Sequence, residues 1–237
     1  MKPLFFLILG VSLSASSVSQ TLRLEDRSDW WSLNNEKEPE LYVKLVEKHF
    51  DTSNLKILGL SLETLDFDKV AAKLGKATVV ERGDASYSRS QACYVSGSGS
   101  ERIHLIFESG EGMSSTVYIF SGVPDWKGSN VCVTSNSVSS DLATATGLRL
   151  GLSRAEVEAI LGKPDSVRGN RIAYCREFKR KATKAEFDRF RREDPQLSES
   201  RAHALYDFVQ EVMRVEARFT NPGLSYLFVS IQSLVPD

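Results

Sequence analysis

Short runs rich in apolar, β-branched and aromatic residues mark the strands of this chain. Two such runs lie at residues 103–107 and 116–120, which a Gly- and Ser-containing connection joins. Two more lie at residues 212–219 and 224–231, on either side of an Asn-Pro-Gly turn sequence at residues 221–223. Because β-branched and aromatic side chains favour strands, this pattern predicts a β-meander and a closing hairpin.

Apolar residues spaced three and four apart predict helices elsewhere in the chain. Residues 38–50 form one such stretch. Residues 183–193 form another, with Phe187 and Phe190 on the inward face. A further helix is expected over residues 198–209. The chain therefore combines helices and antiparallel strands, which is typical of an α+β protein.

The chain contains two similar stretches, offset by 92 residues from Gly59 to Gly151. Each begins with Gly-Leu-Ser, continues with a short apolar stripe that ends in Leu-Gly, and is followed by a strand-like sequence with Ala, Tyr and Cys. Internal similarity of this kind predicts two related structural units. The residues that carry the motif are Gly59, Ser61, Val70, Leu74 and Gly75 in the first copy and Gly151, Ser153, Glu156, Val157, Leu161, Gly162 and Pro164 in the second.

Each feature of the second copy has a local physical meaning. Ser153 and Glu156 have the spacing of a capping box, in which the two side chains satisfy free backbone donors at a helix start. Gly162 stands where a left-handed helix C-cap is needed, as does Gly75 in the first copy. Pro164 prevents the helix from continuing. The motif therefore predicts a short capped helix followed by a strand.

The first nineteen residues have the layout of a secretory signal peptide. A short basic start precedes an apolar run at residues 4–13 and small residues at 14–19. We expect cleavage before Gln20, with cleavage after Ser16 as the alternative. The apolar run is about half the length that a membrane-spanning helix needs, and no later stretch approaches it. The sequence thus predicts an exported protein, periplasmic or extracellular, without a membrane span.

Three cysteines in an exported chain leave one thiol over after pairing. We favour a disulfide between Cys93 and Cys132, which lie in strand-like sequences of the same half, over the other pairings. Cys175 is then expected to be a buried small hydrophobe rather than a reactive nucleophile. The histidines are scattered and show no metal-ligand spacing with these cysteines, so no metal site is expected; they are His49, His104 and His203.

Composition and charge further limit the classes of protein to which the chain can belong. The chain has 237 residues, 41% of them hydrophobic, and a net charge of −1, which is typical of a folded globular protein and does not favour nucleic-acid binding. No catalytic or phosphate-binding motif is recognisable, so neither an enzyme nor a cofactor is expected.

One segment departs from this neutrality. Residues 176–194 carry eight basic and five acidic residues, and we expect a long charged helix over residues 179–194. It is a candidate surface for an acidic protein or an anionic envelope surface. The alternative is a solvated helix whose charges pair internally, because Lys184 and Asp188 have i, i+4 spacing. The candidate partner residues are Lys179, Arg180, Lys181, Lys184, Arg189, Arg191 and Arg192.

The repeated motif resembles that of the SmpA/OmlA (BamE-like) lipoprotein family, and also looks like the related fold of the β-lactamase inhibitor protein, itself a tandem of two such units. The resemblance is best over residues 148–178 and weaker over 58–120. It implies a helix pair packed on one face of a small antiparallel sheet. No cysteine is available near the leader for the family's lipid anchor.

These observations lead to an expected α+β architecture of two tandem two-layer units, each a short helix pair on a small antiparallel sheet. The expected divisions are a signal peptide at 1–19, a helical lead-in at 20–54, a first unit at 55–134, a linker at 135–146 and a second unit at 147–237.

The expected function is non-enzymatic protein–protein contact by an exported protein, with cell-envelope assembly as a setting. One alternative is an inhibitor of a secreted enzyme, for which aromatic residues would have to project together into solvent. The other is an unrecognised secreted hydrolase. The aromatic residues concerned are Tyr94, Tyr118, Tyr174 and Tyr226.

Overall fold

A computed structural model describes most of the chain after its N-terminal quarter. The expected signal peptide and the expected helix at residues 38–50 lie outside the described residues. The described residues are Asn54, 56–82, 88–97, 102–110, 114–121 and 132–234.

Strands hold more of the described residues than helices do. A two-stranded hairpin comes first, formed by β1 (Lys56–Ile57) and β2 (Leu60–Ser61). The remaining strands share one sheet: β3 (Val80–Arg82), β4 (Arg89–Ser96), β5 (Ile103–Gly110), β6 (Ser114–Ser121), β7 (Val133–Ser135), β8 (Ser166–Arg168), β9 (Arg171–Lys181), β10 (Phe208–Phe219) and β11 (Leu224–Leu234). The meander β5–β6 and the closing hairpin β10–β11 are confirmed.

Four α-helices lie in the described part of the chain. They are α1 (Phe67–Leu74), α2 (Arg154–Leu161), α3 (Lys184–Glu193) and α4 (Glu199–Tyr206). Ser153 and Glu156 form the reciprocal capping box at the start of α2. In the first copy Asp66, not Ser61, accepts the capping hydrogen bond of α1.

The expected architecture of two tandem units, each with its own small sheet, is wrong. The sheet has nine strands in the order β3-β4-β5-β6-β11-β10-β9-β8, with β7 added beside β4. The two halves meet where β6 pairs with β11, from Phe120 opposite Tyr226 to Ser114 opposite Gln232. This pairing joins both halves through main-chain hydrogen bonds. Among the described residues, α1 and α2 each contribute singly to one core, and none of the residues of that core comes from α3 or α4.

The two halves nevertheless correspond in topology. Each contributes a short helix followed by four antiparallel strands, and the strand order reads the same from either edge to the β6–β11 pair. One face of the sheet packs with α1 and α2 into a single hydrophobic core, in which Val70, Leu105, Val157, Val215 and Leu227 are fully buried. We call this face the helix face and the other the opposite face.

The residues expected to form a linker are part of this core. Val138 and Leu142 are almost fully buried, and β7 pairs in parallel with residues 94–96 of β4. Val138 donates its N–H to the carbonyl of Ser135, which closes a turn directly after β7. The segment at 135–146 therefore joins two parts of one core rather than separating two units.

A disulfide links Cys93 to Cys132, as the sequence predicts. Cys93 lies on the opposite face in a second, smaller apolar cluster with Ile106, Tyr118 and Phe120. Cys132 packs against this cluster and immediately precedes β7. The disulfide therefore holds the start of β7 beside β4.

A tyrosine and a glycine are paired in the same way in both halves. The hydroxyl of Tyr94 donates to the carbonyl of Gly75, 3.0 Å away, and that of Tyr174 donates to the carbonyl of Gly162, 3.1 Å away. Each glycine ends its helix with a positive φ. Burial raises the pKa of both phenols, that of Tyr174 to about 12, so both remain donors at neutral pH. The repeated Leu-Gly and Tyr therefore fasten each helix to the second strand of its half.

Substituting asparagine for Gly162 should destabilise the protein. Gly162 has φ 80° and ψ −167°, a region that only glycine adopts freely, and a Cβ there would meet no atom within 4 Å. We expect Gly162→Asn to lower the free energy of unfolding by about 1–3 kcal/mol in urea titration.

The matched control is Lys163→Asn. Lys163 is exposed directly after Gly162 and does not have a positive φ, so asparagine fits its backbone without strain. This substitution should change stability by less than about 0.5 kcal/mol. Equal losses in the two variants would contradict a backbone cause at Gly162.

Candidate functional site

The seven basic residues expected on one long helix are divided between a strand and a helix. Residues 179–181 continue β9, and helix α3 begins only at Lys184. The expectation of a continuous helix over residues 179–194 is therefore wrong. Thr183 and Glu186 form a capping box that begins α3, so the change from strand to helix has a local cause.

Arg180 is partly buried, and its charge is paired within the chain. Its guanidinium donates to Glu186 at the start of α3 and to Glu211 on β10, at 2.7 and 2.6 Å. The hydrogen bond from Arg180 lowers the pKa of Glu186 to about 2. Burial raises the pKa of Glu211, with Arg180 acting in the other direction. Arg180 therefore ties α3 to the sheet.

The basic residues of α3 make contacts within the insert. Lys184 pairs with Asp188, and Arg189 lies 3.8 Å from Glu193. Arg191 donates to the carbonyl of Leu197 in the connection to α4. For these three residues the internally paired helix is the better description. Arg192 is exposed.

Lys179 and Lys181 behave differently from the other basic residues. Both are exposed on β9, and no acidic side chain of the described residues lies within ion-pair distance of either. The Lys179 ammonium lies 4.7 Å from the ring centroid of Phe208, which is 46% exposed at the start of β10. We call these three residues the basic edge. It combines unneutralised positive charge with an exposed aromatic ring.

Along β9, the main-chain N–H and C=O groups point toward β10 at one residue and away from it at the next. Asp165 donates its N–H to the carbonyl of Ala173, and its carboxylate accepts from the N–H of Cys175. Pairing of β9 with β10 runs without a register shift from Arg171 to Lys181. The alternation of a strand therefore directs the N–H and C=O groups of three further residues away from β10, namely Glu177, Lys179 and Lys181.

The described residues provide no strand along this part of β9. Strand β8 pairs only with residues 171–173. The corresponding outer edge of β4 is better covered, because β3 pairs with residues 89–91 and β7 with residues 94–96. The two edges of the sheet therefore differ in one respect: nothing described corresponds to β7 beside β9.

Two charged residues of β10 on the opposite face, Arg218 and Glu216, form a buried ion pair. Arg218 donates to Glu216 at 2.6 Å, and both side chains are over 90% buried. Burial raises the pKa of Glu216, with Arg218 acting in the other direction. Burial also raises the pKa of the Cys175 thiol, although Arg214 hydrogen-bonds to it. Cys175 is therefore a protonated thiol at neutral pH, a poor nucleophile.

The tyrosines that an inhibitor surface would use do not project into solvent. Tyr94, Tyr118 and Tyr174 are 0–1% exposed, and Tyr226 is 7% exposed. Tyr94 and Tyr174 are used in the helix contacts described above. These four side chains thus form no common exposed surface.

The two histidines in the described residues each contact a neighbouring side chain. His104 is buried and stacks on Phe120 with centroids 5.0 Å apart, and His203 on α4 contacts Asp207, which follows the helix. Across the described ranges, no three His, Cys, Asp or Glu side chains are grouped to hold a metal ion. None of the helices in the described part of the chain has the length and apolarity that crossing a membrane requires.

Sequence reasoning missed Phe208 and the extension of β9 to Lys181. The signal was present in part, because Ile172, Tyr174 and Phe178 fall on one face of a two-residue alternation that Arg176 interrupts. The many charges that follow instead favoured a helix.

Comparisons with known proteins assign the chain to no family. No protein-family model matches the chain, and no curated protein or solved structure proves similar to it. The resemblance to the SmpA/OmlA family remains a prediction.

Replacing Glu186 with glutamine should destabilise the protein in a pH-dependent way. The pKa of Glu186 is about 2, below its usual 4.5, so its carboxylate stabilises the fold above pH 4.5 and loses this effect as the pH falls toward 2. At pH 7 we expect Glu186→Gln to lower the free energy of unfolding by about 1 kcal/mol, because the group is partly exposed. Urea titrations from pH 7 to pH 2 should show the difference from wild type shrinking toward zero.

Asp188→Asn is the control on the same helix. Its pair with Lys184 is largely exposed, so its effect should stay below about 0.5 kcal/mol. A loss in Glu186→Gln that does not change between pH 7 and pH 2 would contradict the ionic origin of the effect.

Proposed function

We propose that this protein is exported and acts by binding another protein through the basic edge, with cell-envelope assembly as its setting. The leader-like first nineteen residues support export. The Cys93–Cys132 disulfide is compatible with it, because such bonds persist in oxidising compartments.

The observation that carries the binding proposal is the exposure of Lys179, Lys181 and Phe208 on adjacent strands. Exposed aromatic rings are enriched where proteins meet. The two lysines create a local positive field on a chain whose net charge is only −1. Both features favour an acidic partner surface that includes apolar groups.

Rigid support for these residues also favours a binding role. Strand β9 pairs with β10 along its whole length, and the Arg180 bridge to Glu186 and Glu211 fixes the strand against α3. A surface held in place before binding loses less conformational entropy when a partner docks. The pairing with β10 and the Arg180 bridge therefore hold the basic edge in place before a partner binds.

The test is capture with a charge-reversed variant. The oxidised protein is immobilised and exposed to an envelope fraction of its own source, and bound proteins are identified by mass spectrometry. Wild type should retain at least one acidic protein that the double variant Lys179→Glu, Lys181→Glu retains about tenfold less.

The matched control reverses two exposed lysines near the end of α1, Lys73→Glu and Lys76→Glu. It carries the same change in net charge and should capture the partner as wild type does. Equal capture by all three proteins would contradict a role for the basic edge. Binding of anionic lipid vesicles with no captured protein would show an envelope surface instead.

A further inference from the structure

The outer edges of β4 and β9 occupy equivalent places in the two halves of the sheet, so they can be compared directly. Tyr94 on β4 and Tyr174 on β9 occupy equivalent places, since each donates to the glycine that ends the helix of its half. Beyond Tyr94, β7 adds a parallel strand to the edge of β4. Beyond Tyr174, the carboxylate of Asp165 takes the N–H of Cys175, and the described residues provide no strand after it.

We propose that the outer edge of β9, from Glu177 to Lys181, takes up an extended segment of the partner protein as an additional strand. This inference rests on the proposed function and specifies how the basic edge binds. The outward N–H and C=O groups of Glu177 and Lys179 and the N–H of Lys181 supply the ladder, whereas the C=O of Lys181 accepts from the Arg180 guanidinium. Main-chain pairing of this kind gives affinity, and alternate side chains give selectivity.

The side chains of β9 specify the chemistry of that segment. Lys179 and Lys181 project on the opposite face of the sheet, where cross-strand neighbours should be acidic. Phe178 and Arg180 project on the helix face, and Arg180 is already neutralised by Glu186 and Glu211. Phe178, which packs against the core, is therefore the neighbour available on that side. The segment that fits alternates acidic and apolar residues.

A second copy of the same strand does not fit this edge. Antiparallel pairing of residues 177–181 with the same residues of a second copy would place Lys179 opposite Lys179. Glu177 would lie opposite Lys181, but Glu177 is only 6% exposed and its side chain already accepts a hydrogen bond from Gln210. Like charges opposite each other destabilise a sheet, and edge lysines are a common means of preventing such pairing. The same lysines attract an acidic strand. The partner is therefore a different chain.

Binding of defined peptides tests the proposal. The probe is a labelled peptide of about ten residues that alternates Glu and Val, compared with one that alternates Lys and Val. Fluorescence anisotropy with the oxidised full chain should show binding of the Glu-Val peptide and none of the Lys-Val peptide. Failure of the Glu-Val peptide to bind, or binding of anionic vesicles in its place, would overturn the proposal.

Two N-methylated forms of the Glu-Val peptide separate strand addition from charge attraction. In each form every second amide is methylated, and the two forms cover complementary sets of amides. Only one set can face β9 in a β-ladder. One form should therefore bind about tenfold more weakly and the other nearly as well as the parent.

Variants of β9 provide the same test from the protein side. Lys179→Pro removes an outward N–H and leaves the bonds to β10 in place, a position where edge strands tolerate proline. Lys179→Ala removes only the charge. The proline variant should bind the parent peptide about fivefold more weakly than the alanine variant, while a circular dichroism melt confirms that it is folded.

The outcomes distinguish the two proposals. If both N-methylated peptides bind equally and the Lys179→Glu, Lys181→Glu variant binds neither, the basic edge recognises charge alone; strand addition is then wrong and the proposed function stands. If the charge-reversed variant binds every peptide as wild type does, both fail. If the proline variant does not fold, the N-methylated peptides alone distinguish strand addition from charge attraction.

Discussion

The pairing of β6 with β11 is the contact on which the rest of the structure depends. Without it, each half of the chain would have a helix on a four-stranded sheet with two open edges and a smaller core. With it, two edges disappear and both helices pack over one continuous core. The strands at the two ends of the combined sheet, β3 and β8, are short, so the outer edges of the long strands β4 and β9 are covered by them only in part.

The two halves protect these edges differently. Strand β4 is covered by β3 and by β7, and the disulfide at Cys132 secures the approach to β7. On β9, β8 and the side chain of Asp165 cover only the first part. The inserted helices α3 and α4 follow directly, and their bridge through Arg180 stiffens the uncovered part without pairing with its edge. The difference between the edges of β4 and β9 therefore arises from the inserted helices α3 and α4 and from the lysines that precede them.

Local features of this fold could be predicted from the sequence, and its long-range features could not. The meander, the closing hairpin, the capping box at Ser153 and the disulfide each depend on a pattern that a short stretch or a pair of cysteines displays. The union of β6 with β11 joins residues about a hundred positions apart, and no spacing indicates which edges meet. The basic residues of the site could be identified from the sequence. Their division between β9 and α3 could not be predicted, because Lys179 and Lys181 lie in a charge-rich sequence that favours a helix. Tertiary pairing with β10 overrides that preference.

Residue-resolved amide hydrogen exchange on the free, oxidised protein tests the open edge of β9 most directly. The amides of Phe178, Arg180 and Ala182 face β10 and should be protected, whereas those of Glu177, Lys179 and Lys181 should exchange about a hundredfold faster. Alternation of fast and slow amides along one strand is the result that this account predicts. Uniform protection from Glu177 to Ala182 would show that the edge is already paired, and would contradict its role as a binding site.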